Sequence, residues 1–71
     1  VNSFINKLEK IMNQKFDNVN EIKNVLNSLK DVKVVLYNKE DNGFSFDIIT
    51  DFGTYKVHFD FNYHFLKAFQ K

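Results

Sequence analysis

Seventy-one residues with ten lysines, no arginine and nine carboxylates leave a net charge of +1. A chain of this length is one domain, 1–71, and buries only about 60% of its unfolded surface. With no cysteine there is no disulfide and no thiolate metal site, so stability must come from the large aromatics, each burying about 150–250 Å², or from self-association.

Residues 3–16 carry Phe4, Ile5, Leu8, Ile11, Met12 and Phe16 at three- and four-residue spacing, which predicts an amphipathic helix. Asn2 or Ser3 is its expected cap. Residues 19–30 repeat the pattern through Val19, Ile22, Val25, Leu26 and Leu29. Asn18, three residues before Glu21, has the spacing of a capping box. With only Asp17–Asn18 between them, the two helices read as a hairpin.

From Val32 the period becomes two. Val32, Val34 and Leu36 alternate with Lys33, Val35 and Tyr37 in a first strand. Asn38 to Gly43 forms a polar turn ending in Asn-Gly. Phe44, Phe46 and Ile48 alternate with Ser45, Asp47 and Ile49 in a second strand. Residues 51–54 turn the chain, and Tyr55, Val57, Phe59 and Phe61 define a third strand. A four-residue loop at 51–54 is the preferred register, pairing Phe46 with Phe59 and Asp47 with His58. The two-residue alternative pairs Asp47 with Lys56 and is disfavoured because that turn would need Phe52 at positive φ. Residues 63–70 read as a short helix capped by Asn62; the alternative is a third strand that continues to Phe65.

The fold expected is therefore α+β: a helical hairpin on one face of a three-stranded antiparallel meander, with a short C-terminal helix. Nine of twelve aromatics fall between Phe44 and Phe69. Phe44, Phe46, Phe59 and Phe61 share the face that the helices need to cover, so they read as core rather than as a platform for stacking bases.

Chemistry-bearing residues are few. His58, Asp60 and Asp47 lie on the polar face of one hairpin, the minimal form of a general-base pair. No nucleophile or oxyanion donor accompanies them, and an exposed cross-strand ion pair explains them. Asp51-Phe52-Gly53 reads as a hairpin turn. No Gly-rich phosphate loop and no metal-ligand spacing occurs. No catalytic residue, cofactor or metal is expected, and no run approaches the ~18 apolar residues of a membrane span.

Without its first helix, the order helix, three strands, helix resembles that of the double-stranded-RNA-binding domain. The basic cluster that opens that family's last helix has no counterpart in Asn62-Tyr63-His64-Phe65. Lys39-Glu40-Asp41 nearly cancels in charge where phosphate contacts would be needed.

The expectation that remains is a non-catalytic protein-binding module or self-associating chain. Its docking residues would be Val35, Tyr37 and Ile49 on the sheet face opposite the helices, with Phe52 at a hairpin tip. A nucleic-acid-binding domain using Lys7, Lys10, Lys15 and Lys23 is one rival. A subdomain of a larger secreted or structural protein, suggested by Val1, is the other. The Lys-, Asn-, Ile- and Phe-rich composition points to an A/T-rich genome. A phage- or plasmid-encoded inhibitor or accessory protein of the cytoplasm is the concrete form of the first reading.

Overall fold

The computed structural model describes residues 3–71. In chain order the elements are α1 (Ser3–Met12), α2 (Val19–Asn27), β1 (Val32–Glu40), β2 (Gly43–Thr50), β3 (Gly53–Asp60) and β4 (Phe65–Gln70). The strands form one antiparallel sheet in the order β1-β2-β3-β4. α1 packs against β4 and α2 against β1, so both helices lie on one face. The architecture is α+β with four strands, one more than the sequence periodicity suggests and in place of the expected C-terminal helix.

α1 buries Phe4, Leu8 and Met12, one stripe at four-residue spacing. It stops at Met12 rather than at residue 16. Gln14 Nε2 donates to the Ile11 carbonyl at 2.6 Å, satisfying a carbonyl that has no partner at a helix end. Phe16 still enters the core, 6.2 Å from the Phe59 ring, but from the connection between the helices. Ser3 opens α1; the other cap candidate, Asn2, lies outside the described residues. α2 begins as expected: the Asn18 side chain accepts from Glu21 N at 2.9 Å. It ends at Asn27, where Ser28 Oγ donates to the Val25 carbonyl.

β2 and β3 follow the predicted alternation. Phe44, Phe46 and Ile48 on β2 and Tyr55, Val57 and Phe59 on β3 are buried under the helices. Burying each such side chain contributes roughly 1.5–3 kcal/mol relative to exposure. Their register, however, is the disfavoured one. Thr50 pairs with Gly53, leaving a two-residue loop of Asp51 and Phe52, and Asp47 pairs with Lys56. The positive φ falls on Gly53, at 127°, and not on Phe52, so the steric objection to the short loop does not apply. Thr50 Oγ1 closes the turn by accepting from Phe52 N and donating to the Gly53 carbonyl.

β1 is out of phase with simple alternation. Val32 pairs with Thr50 and Val34 with Ile49, so Lys33 is an extra residue, a β-bulge. The bulge exchanges faces: Val35 opposes Ile48 on the core side, whereas Val34 and Leu36 turn outward.

The segment 63–70 forms β4, not a helix, and β3 ends at Asp60 rather than running on. Asp60 organises the reversal. Its Oδ1 accepts from Asn62 N and His64 N, at 2.8 and 3.0 Å, and its Oδ2 lies 3.2 Å from His64 Nδ1. Tyr63 takes φ 66° at this turn, and its ring packs 6.0 Å from Phe44. The reversal leaves Phe61 exposed rather than in the core. A second bulge at Leu66 follows, because His58 pairs with Lys67 but Phe59 with Phe65. It places Phe65 and Ala68 both against the core at a spacing of three, which in sequence imitates a helical turn. With β4 a strand, the likeness in element order to the double-stranded-RNA-binding domain is lost.

Candidate interaction surface

The two bulges decide what each face of the sheet presents. The helix-bearing face holds Val35, Phe44, Phe46, Ile48, Tyr55, Val57 and Phe59. None of the described elements covers the opposite face. The residues that meet across the strands on that open face can be read row by row. One row runs Leu36, Asp47, Lys56, Phe69; the next runs Asn38, Ser45, His58, Lys67. Val34 and Ile49 pair at the corner beside Leu36.

Val34, Leu36 and Ile49 are exposed to 41%, 50% and 36%, and Phe69 and Leu66 are exposed at the far side. An apolar corner of this kind, with charge around it, is the composition of an interface more than of a solvated sheet face. The rim is ionic. Lys33, on its bulge, reaches Asp51 at 2.9 Å. Lys71 Nζ lies 3.5 Å from Asp47 Oδ2, and Lys56 Nζ 3.7 Å from Glu40 Oε2. Ser45 is fully buried between its neighbours and donates to Glu40 at 2.7 Å. That bond holds the Glu40 carboxyl below the ordinary carboxylate range.

Of the four residues expected to dock a partner, the structure places Ile49 on the open face and Phe52, 62% exposed, at the tip of the β2–β3 turn. Val35 is a correction: it is 7% exposed and packs in the core, because the Lys33 bulge reverses the phase of β1. Tyr37 shares Val35's side of the sheet for the same reason. It is half-exposed, with its ring 5.8 Å from both Phe44 and Phe46. Sequence alternation missed Val34 and Leu36, which take the places given to Val35 and Tyr37. Phe69, assigned to a helix, was missed as well. The only sequence signal for the phase change was Lys33 interrupting a valine run.

The expected His58–carboxylate pair is not assembled. Ser45 and Lys67 flank His58 in the register, Lys56 opposes Asp47, and Asp60 is engaged by His64. The His58 ring instead stacks on Phe69 at 5.6 Å. Partial burial there holds its pKa below the ordinary value near 6.5.

Phe52 also borders a cleft of about 440 Å³ with Phe4, Lys7, Asp31 and Tyr55. The helix-side lysines Lys7, Lys10, Lys15 and Lys23 are all exposed. No helix among the described residues is long and apolar enough to cross a membrane. No protein-family model, no curated protein and no solved structure matches this chain.

Proposed function

We propose that the chain is a non-catalytic protein-binding module that docks through the open face of its sheet. The observation that carries this reading is the corner of Val34, Leu36 and Ile49, three exposed apolar side chains on two paired strands with no covering element. The Lys33–Asp51 pair beside it supplies the polar rim expected around an interface. An inhibitor or accessory protein is the concrete version of this role.

The test compares wild type with Leu36→Asp and Ile49→Asp in pull-down and sedimentation. Both positions are exposed, so circular dichroism and melting should stay near wild type, while association is lost. Retention of the same bound species by both aspartate variants would remove the reading.

A further inference from the structure

We propose that the open face is self-complementary and that its occupant is a second copy of this chain, docked face to face about a two-fold axis. The inference rests on the binding role proposed above for that face and names the partner.

The order of chemistry across the sheet carries it. The row Leu36, Asp47, Lys56, Phe69 reads apolar, acid, base, aromatic from β1 to β4. An axis lying in the face, along the strands and between β2 and β3, reverses that order in the second copy. β1 then lies over β4 and β2 over β3. Leu36 comes over Phe69 of the second copy and Asp47 over Lys56 of the second copy, and each contact occurs twice. The rest of the face has the same polarity. Glu40 joins Asp47 on the β1–β2 half, and Lys67 joins Lys56 on the β3–β4 half. Two charges break the order: Lys33 on β1, which pairs with Asp51, and Asp60 on β3, whose carboxylate is engaged by the turn at His64. A foreign partner would have to reproduce this order, whereas a second copy carries it by construction.

One further observation agrees. The chain has no cysteine to staple a fold of 71 residues, the condition under which small domains gain stability by oligomerising.

The experiment is sedimentation equilibrium of the purified full chain from micromolar to millimolar concentration, for wild type, Asp47→Lys, Lys56→Asp and an equimolar mixture of the two variants. Wild type should dimerise, more weakly at about 500 mM than at about 50 mM NaCl. Each variant alone places like charges opposite one another and should weaken dimerisation about tenfold or more. The mixture restores both pairings and should return dimers near wild-type strength, which a merely destabilised fold cannot do. A wild type that stays monomeric throughout overturns the second copy as occupant. If such a monomer still captures a protein that Leu36→Asp loses, the binding reading stands without this inference. A wild-type dimer that neither variant weakens, or a mixture that fails to dimerise, also overturns it.

Discussion

Phe44 and Phe59 stack across β2 and β3 with ring centroids 5.3 Å apart and planes only 7° from parallel. They are direct partners in the sheet, and the next pair along, Gly43 and Asp60, brings the two backbones too close for any side chain on β2. A Cβ at Gly43 would fall 2.0 Å from the Phe59 carbonyl oxygen. The stack and the glycine therefore define one register together.

That closeness ranks two glycine substitutions. Gly43→Ala must move backbone and is expected to cost more than about 2 kcal/mol. Gly53→Ala meets mainly the flexible Gln70 side chain, at 2.8 Å, and its cost of about 1–3 kcal/mol comes from φ 127°. Urea unfolding of the two variants should show Gly43→Ala as the less stable. The reverse order would contradict the pairing of Gly43 with Asp60.

The Lys33 bulge gives a sharper test, because it assigns opposite environments to consecutive residues. Val35→Asp buries a carboxylate in the core and should cost about 3 kcal/mol or more. Leu36→Asp alters an exposed position and should stay within about 0.5 kcal/mol. Unbroken alternation from Val32 demands the opposite result, so denaturant midpoints of the two variants decide where β1 changes phase.

Much of the fold was legible in the residues. The four-residue stripes of Phe4, Leu8, Met12 and of Ile22, Leu26 identify the helices and their buried sides. Even positions on β2 and odd positions on β3 identify the core face of the central hairpin. What stayed hidden is what a period-two pattern cannot encode. A bulge adds one residue and inverts every face beyond it. In the run Val34-Val35-Leu36 no polar residue marks which members face in. Leu66 hides a strand in the same way by giving Phe65 and Ala68 a helical spacing. The β2–β3 register was missed for another reason: the burden of positive φ was placed on Phe52 when its neighbour Gly53 bears it. Of the candidate site, Ile49 was legible as outward-facing, and Val34, Leu36 and Phe69 were not.

His58 sets a pH dependence. Its burial against Phe69 depresses its pKa in the folded chain, with Glu40 and Asp47 raising it and Lys67 and Lys56 lowering it in smaller measure. The unfolded chain therefore binds this proton more readily. The stabilisation is fully present above the ordinary value near 6.5 and is lost as pH falls through the folded value. His58→Gln should reduce the difference in urea midpoint between about pH 7.5 and about pH 5. An unchanged difference would show that some other group is responsible.

The sheet repeats the order of the chain, and this sets how the molecule assembles. Two of its three strand pairings close across two-residue loops, so little loop entropy opposes them and the sheet grows from neighbour to neighbour. The contact that spans the chain is the seating of α1 on β4, first element on last. On this topology it is expected to form last and to act as a latch on the finished structure. Leu8→Ala, in the fully buried stripe of α1, should accordingly speed unfolding and leave the folding rate nearly unchanged in a chevron analysis. That outcome would place kinetic persistence at the junction of α1 with β4 and the speed of folding in the central hairpins.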